Sequence, residues 1–372
     1  MTGSKLHANK HNELQSKDLQ SLAERIKSWA AELGFDQLGV CNTDLQQHEV
    51  FLDAWIDKGF QGDMDYMFKH GRKRTRPELL VEGTTRVISV RMDYAPENIE
   101  QSLDVLKQGR TAYVSRYALG RDYHKVIRAR LQKLALRIQD QVGEFGYRVF
   151  TDSAPVMEKA IAEKSGLGWI GKHTNVINSK SGSWFFLGEI YTDLPLPVDK
   201  PATNHCGSCS QCIVDCPTNA IVGPYQVDAR LCISYLTIEL KDAIPEKLRP
   251  LIGNRVYGCD DCQLVCPWNK FAQTARVNDF SPRKNVTDRE LLELFSWSEE
   301  KFLKETEGSP IRRIGHERWQ RNIATSMGNA LRSKTISSDE RSQMINSLNK
   351  KRSTASELVT EHIDWALAQS EL

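Results

Sequence analysis

Eight of the nine cysteines fall into two ladders whose spacing belongs to iron–sulfur chemistry. The first is Cys206-x2-Cys209-x2-Cys212-x3-Cys216-Pro217. The second is Cys259-x2-Cys262-x3-Cys266-Pro267, with Cys232 upstream and 26 residues between it and Cys259. In a C-x2-C-x2-C-x3-C-P run, three thiolates hold one 4Fe–4S cubane and the fourth ligates a second cluster. Applied to both ladders, this pairs Cys206, Cys209, Cys212 and Cys266 around one cluster, and Cys216, Cys232, Cys259 and Cys262 around the other. Structural zinc asks for paired C-x2-C knuckles that close one tetrahedral site per four ligands, not three cysteines at three-residue spacing followed by Cys-Pro. Disulfide staples are needed by short secreted chains, and this one has 372 residues. The ninth thiol, Cys41, lies in the apolar stretch Leu38-Gly39-Val40-Cys41 and reads as a small buried hydrophobe.

The ladders must be carried by something larger. A hydrophobic content of 40% and a charged content of 26% are those of a soluble globular protein with room for two or three domains. A net charge of +2 says nothing for or against nucleic acid. The N-terminus lacks the apolar core of a signal peptide, and no run is long enough to cross a bilayer. With its unpaired thiols, the chain is therefore expected in the cytoplasm. Nothing in the apolar pattern asks for an oligomer, so a monomer is expected.

Residues 1–17 are polar and aperiodic, and read as a tail. An amphipathic helix runs from Leu19 through Leu33 to Gly34, followed by strands at Leu38–Cys41 and Arg86–Val90. A long helix is expected over Tyr123–Val142, then a strand over Tyr147–Thr151, a helix over Pro155–Ser165 and a strand over Trp184–Tyr191. This alternation predicts an α/β (α+β) domain over 18–198. The Pro-rich segment 194–201 leads into a two-cluster ferredoxin module (199–285). Residues 286–372 are helical and charged; their apolar stripe, Ile323, Ala324, Met327, Ala330 and Leu331, predicts a HEAT-like helical pair that must pack on the rest.

Gly166-Leu167-Gly168-Trp169-Ile170-Gly171 matches G-x-G-x-x-G, yet it follows a helix and leads toward a strand, the reverse of a dinucleotide fingerprint. Read through His173 it nearly spells a phosphate-binding loop, but His173 stands where a magnesium-binding hydroxyl is required. The three glycines still predict a close approach by another chain segment or by a flat ligand.

Several segments together resemble the epoxyqueuosine reductases: Tyr147–Val156 with its D-S-A-P motif, Ala162–Lys172, Cys206-Gly207-Ser208-Cys209 and Tyr257-Gly258-Cys259-Asp260-Asp261-Cys262. The resemblance spans about residues 20–330. It implies a cobalamin-binding domain of nitroreductase-like fold, two 4Fe–4S clusters, and reduction of the epoxide of epoxyqueuosine at the tRNA wobble position. The substrate partner would be tRNA carrying epoxyqueuosine, and the electrons would come from an external low-potential donor. Deoxygenating an epoxide to an alkene consumes two electrons and two protons, and a cobalt corrin can collect electrons that clusters deliver singly.

The resemblance also assigns residues. Asp152 matches the proposed proton donor, and its strand-end position before an apolar helix start suits a carboxyl kept protonated by desolvation; its structural alternative is an N-cap for the Pro155 helix. Arg74 matches an arginine at the corrin periphery. Ser115, Gly171, Lys172, Leu187 and Ser234 match further corrin contacts; many relatives carry cysteine where this chain has Ser115, which argues against thiol chemistry there. Asp122, Tyr123 and His124 match a segment lining the substrate cleft. Two basic groups are candidates for tRNA: Lys69–Arg76, and Arg312, Arg313, His316, Arg318 and Arg321, with Trp319 available for stacking. The 26 residues between Cys232 and Cys259 are expected to fold over the corrin. A small-molecule reductive dehalogenase would carry an export signal, and a plain electron carrier would leave almost 200 N-terminal residues without a role.

Overall fold

The computed structural model describes residues 16–333 and 336–371. The expected tail lies outside the described residues except for its last two, which already belong to helix α1 (Ser16–Glu32). Strands β1 (Gln37–Asn42), β2 (Arg86–Asp93), β3 (Tyr147–Phe150) and β4 (Phe185–Thr192) form one sheet in the order β1-β2-β4-β3. Every neighbouring pair is antiparallel. The alternation of helix and strand thus builds an α+β domain, not a parallel α/β sheet. Strands adjacent in space are joined by long excursions (residues 43–85 and 94–184) rather than by single crossover helices.

Each central strand is buried on both faces. Ile88, Val90, Met92 and Ile190 face α1 and the long helix α2 (Tyr123–Val142), which presents Ile127, Leu131, Leu134 and Ile138. Val87, Tyr191, Phe150 and Cys41 face the short helix α3 (Glu158–Lys164). Helix α3 starts three residues later than the expected Pro155: 151–157 is a loop with bends at 152–155, so Asp152 caps no helix. Two glycines set how closely the layers approach. A Cβ on Gly188 would stand 2.7 Å from Ile127 Cγ2, and one on Gly39 would stand 1.9 Å from the Ser165 carbonyl oxygen at the end of α3.

Beyond the sheet, the cysteine ladders sit on two short helices, Gln211–Val214 and Asp261–Leu264. Between them lies a single π-helical turn, Tyr235–Glu239. Among the described residues the C-terminal region holds five α-helices where a pair was expected: the short Leu291–Phe295 and Glu299–Glu305, then α4 (Gly315–Arg332), α5 (Ser338–Arg352) and α6 (Glu357–Ala368). Helix α4 is buried continuously from Trp319 to Gly328. It shares one core with Ala112, Val114, Val256, Tyr257 and Leu291, so these helices are fused to the body rather than appended to it.

Gly39→Ala forces α3 away from β1. The expected outcome is a loss of about 1–3 kcal/mol of stability, typical of overpacking, read as a lower urea midpoint with unchanged slope.

Candidate active site and cluster ligands

A cavity of about 410 Å³ opens between the start of β4, the 64–66 and 117–123 segments, the Asp152 loop and residues 227–239. Its walls are aromatic: Tyr66, Tyr94, Tyr117, Tyr123, Phe185 and Phe186. Tyr123 and Phe186 stack with centroids 4.3 Å apart and planes 4° from parallel. Cys232, Ser234, Ile238 and Glu239 close the opposite side. A second cavity of about 430 Å³ adjoins it, sharing Tyr117, Tyr123 and Arg313, and adding Asp122, His124, Lys125, Arg312 and the Gly308–Pro310 turn. Arg313 stands on the shared wall, its Nη2 2.7 Å from Glu239 Oε1.

Asp152 lines the first cavity, and its bonded neighbours Tyr123 and His124 line the second. Its backbone is left-handed (φ 55°), a conformation that costs a non-glycine residue about 1 kcal/mol or more unless its surroundings hold it. Three groups do so. Tyr123 Oη donates to Asp152 Oδ2, His124 Nε2 lies 3.3 Å from the same oxygen, and the Asp152 amide donates to Glu158 Oε1. His124 Nδ1 is 2.8 Å from Asp122 Oδ1, so the ring stands between two carboxylates. Burial works to neutralise His124, but its bonds to Asp122 and Asp152 outweigh it and lift the ring to about 9. Burial likewise works to protonate Asp152. The bonds from His124 and Tyr123 and the charges of His124 and Arg313 outweigh it, holding the carboxyl below the usual aspartate range.

The expectation of a carboxyl protonated by desolvation is therefore reversed. Asp152 is ionised, and the mobile proton rests on His124. Behind Asp152, Glu189 is wholly buried on β4. As two carboxylates, Glu158 and Glu189 would have no donor between them. Burial and the Glu158 charge push Glu189 well above its ordinary range, so it holds a proton toward Glu158. Glu158 itself is pushed up to about 7 by burial and by the Asp152 charge.

The thiols fall into two neighbourhoods. Burial, then Cys266, Cys206 and Cys209, push the Cys212 thiol up to about 11, and Cys206 and Cys209 act likewise on Cys266. Cys262 feels burial and then Cys232 and Cys216; Cys259 feels burial and, after Asp261, Cys232 and Cys262. Backbone donors point at them: the Ala220 amide is 3.2 Å from Cys216 Sγ, and the Ser234 and Tyr235 amides serve Cys232. Among the described residues, no three His, Cys, Asp or Glu groups close to the spacing of a single-ion site. The second neighbourhood reaches the aromatic cavity through Cys232; the first contains the exposed Cys209.

Of the expected corrin contacts, Ser234 and Asp152 line the cavity. Leu187 is half-buried on β4 next to Phe186, against Ala162, Leu167 and Val176. Ser115 is buried and donates to Asp260 Oδ1 at 2.5 Å, beside the Tyr113 hydroxyl. Arg74 is buried, with its Nη2 2.8 Å from the Tyr66 carbonyl and its Nε without a partner. Gly171 packs on Ile177 of its own hairpin, Gly168 on the Ile177 carbonyl and Gly166 on the Lys200 carbonyl. The glycine cluster thus serves chain-to-chain packing. Lys172 Nζ reaches the carbonyls of Gly207 and Cys209, both at 2.7 Å, bracing the first ladder.

The second basic group is not an open tRNA surface. Trp319 and Arg321 are wholly buried, Arg318 serves the Ile314 and Ile238 carbonyls, and Arg313 faces Glu239. In the first group, Arg72 and Arg76 pair with Asp53 and Glu49. Glu158, Glu189 and Glu239 were not anticipated as site residues. Their only sequence signal was a carboxylate in an otherwise apolar strand or helix, which Glu189 in Phe185–Tyr191 does give.

The site defines the class: a redox enzyme with two groups of thiols, one of them beside a flat-walled cavity that a proton-carrying triad joins to a second cleft. The model described as "Epoxyqueuosine reductase QueG, DUF1730" matches residues 74–153, and "4Fe-4S double cluster binding domain" matches 205–269. The epoxyqueuosine reductase of Pseudomonas aeruginosa is 58% identical over 95% of this chain and 96% of its own. The fold is shared with a crystal structure of epoxyqueuosine reductase with a tRNA-Tyr epoxyqueuosine-modified tRNA stem loop (TM-score 0.78, 24% identity, 95% of this chain and 99% of that one). A Bacillus subtilis epoxyqueuosine reductase, whose structure has its aspartate catalytic loop swung out of the active site, matches at TM-score 0.77 and 25% identity over 94% of this chain and 99% of its own. The chain belongs to the epoxyqueuosine reductase family, and it carries a 4Fe–4S double-cluster domain. No helix among the described residues is long and apolar enough to cross a membrane.

Folding raises His124 from about 6.5 to about 9. Its contribution to stability is complete below the lower value and lost as pH climbs through the upper one. In His124→Gln, the urea midpoint should lose that part of its decline between pH 7 and 9.5. A decline as steep as in the unaltered chain would show that His124 is neutral in the folded state.

Proposed function

We propose that this chain reduces the epoxide of epoxyqueuosine at the tRNA wobble position to queuosine, with cobalamin fed by two 4Fe–4S clusters. The observation that carries this reading is the junction at Asp152. One side is an aromatic cavity in contact with a cluster thiol, and the other is a polar cleft with cationic walls. A flat macrocycle suits the first, and a nucleotide of an anticodon loop suits the second.

Cobalamin is supported by the aromatic lining of the cavity, by Ser234 on its wall and by the neighbouring Cys232. When bound, it would supply a centre that gathers two electrons arriving one at a time. Arg74 would hold the Tyr66 wall, Leu187 and Phe186 would press from β4, and Ser234 would meet the ring edge. Lys172 would brace the outer cluster, and Ser115 would position the Asp260 segment; Gly171 would act through its hairpin. The cluster sets would be Cys206, Cys209, Cys212 with Cys266, and Cys216, Cys232 with Cys259 and Cys262. An external low-potential carrier would reduce the outer set near exposed Cys209. The chain would work in the cytoplasm as a monomer, with a nitroreductase-like body (18–198), a ferredoxin module (199–285) and HEAT-like helices (286–372).

The protein's part in the reaction is protonic. Opening the epoxide to the alkene consumes two electrons and two protons and expels the oxygen as water. The His124–Asp152 pair holds one transferable proton, delivered to the departing oxygen from the Asp152 carboxyl as His124 gives it up. Asp122 keeps the ring oriented, and Tyr123 remains a neutral donor because burial and the Asp152 charge push its phenol well above 10. The second proton comes from solvent through the polar cleft. Movement of the 151–157 loop, as recorded for the Bacillus subtilis relative, would admit it.

Asp152→Asn should retain cobalamin and both clusters while losing about a hundred- to ten-thousand-fold in turnover; near-normal turnover with tRNA and reductant saturating would sink the assignment. Cys266→Ser should abolish the cluster of the first ladder, as seen by iron analysis and EPR, and spare the one served by its sequence neighbours Cys259 and Cys262. The opposite pattern would mean uncrossed ligation.

A further inference from the structure

Helix α4 carries a run that helices rarely bury: Gln320, Arg321, Asn322, Thr325 and Ser326, all within 2% of full burial. A guanidinium in the interior is costly unless each of its donors is answered. The donors of Arg321 are answered by one short stretch of chain. Its Nη1 donates to the Leu240 carbonyl at 2.9 Å and the Asp242 carbonyl at 2.7 Å; its Nη2 donates to the Leu236 carbonyl at 2.7 Å. Asn322 Oδ1 accepts from Arg321 Nε and Nη2, and its Nδ2 donates to the carbonyls of Thr237 and Val256 at 2.8 and 2.9 Å. One turn earlier, Arg318 Nη1 takes the Ile238 carbonyl at 2.8 Å. Five carbonyls between residues 236 and 242 are thus held by three side chains of α4.

These are the carbonyls that a helix leaves open at its C-terminal end, where a cation is favoured. The helix is the π-helical turn Tyr235–Glu239, which has no further turn to answer them. Its other face is the cavity wall, with Ser234, Tyr235, Ile238 and Glu239 exposed to the space. The Thr237 hydroxyl also accepts from the Gly258 amide at 2.9 Å, tying the turn to the residue before Cys259.

We infer that Arg321 and Asn322 are positioning residues for the cofactor: they fix, from outside the cavity, the turn that forms one wall of it, so that the C-terminal helices set cofactor affinity without touching the cofactor. The inference rests on reading the aromatic cavity as the cobalamin site. It gives a buried role to a basic run that would otherwise pass for part of a tRNA-binding face.

Anaerobic spectroscopic titration with cobalamin, on protein with both clusters reconstituted, tests it. Arg321→Met keeps the length of the side chain and removes its donors, and should weaken cobalamin by about tenfold or more while iron content stays complete. Arg321→Lys, which can still reach a carbonyl, should recover part of the affinity. Arg341→Met is the control: its donors stay within the C-terminal region at the Leu331 and Ser333 carbonyls, so any loss of helix stability appears there without a change in affinity. If Arg321→Met does not accumulate, Asn322→Ser decides, with about threefold weaker binding expected from the loss of its two carbonyl bonds. Affinity equal to that of the unaltered chain in either variant overturns the inference. An unaltered chain that binds no cobalamin overturns instead the reading of the cavity, and the two failures are told apart in one titration series.

Discussion

The half-exposed carboxylate of Asp152 is held ionised by the groups bonded to it, and much of the site follows from that. The interaction responsible is with His124, whose ring is gripped from the other side by Asp122. Two anions hold one cation more firmly than either would alone, and in a partly desolvated pocket such a row keeps its proton in the middle. The three groups come from the N-terminus of α2 and the loop after β3, so the proton's place depends on how α2 lies against the sheet. That packing is set by Gly188, which lets Ile127 and Leu131 come down onto β4. A steric fact in the core thereby fixes an electrostatic fact at the surface of the cavity.

The same sheet supports the rear of the site. Ser89 pairs with Glu189 across β2 and β4, and Glu189 lies against Glu158 under the Asp152 loop. A neutral Glu189 beside a partly charged Glu158 is the arrangement expected of two carboxyls that cannot both ionise in one desolvated space. It leaves Glu158 able to accept from the Asp152 amide, which stabilises a left-handed residue that has no glycine's freedom. Asp152 is therefore held by one hydrogen bond to a group titrating near neutrality, on top of its contacts with Tyr123 and His124. Further along the loop, Val156 is buried in the core and anchors it.

What the sequence disclosed and what it hid divide along range. The cysteine ladders, α2 over Tyr123–Val142 and the central strands are written in local spacing; the helix was legible to the residue and the strand ends to within three. The antiparallel sheet was not, because strand neighbours are separated by 34 to 91 residues and period alone does not give direction. Nor was the charge of Asp152, since desolvation could be guessed from its apolar flanks while His124 lies 28 residues away in the chain. Arginines misled most. In a sequence, Arg312, Arg313, Arg318 and Arg321 are one basic run. In the fold, the first is exposed, the second is an ion-pair partner at a cavity wall, and the last two answer carbonyls in the interior.

That dispersal of one run into separate tasks explains why the C-terminal helices are fused to the body. A cavity wall made of a short turn inside a long insertion has little rigidity of its own, because loop closure leaves it many alternatives. Apolar packing would restrain its depth but not its rotation, since a hydrophobic contact has no direction. Directional bonds to consecutive carbonyls restrain both. They demand donors at fixed intervals along a rigid rod, which is what Arg318, Arg321 and Asn322 are on α4. The rod must in turn be held, and α6 does so from behind, with Trp365 and Ala366 packed so closely on Gly328 that a Cβ there would stand 2.5 Å from the indole. The order of dependence therefore runs from a glycine at the far surface of α4, through its buried polar face, to the wall beside Cys232.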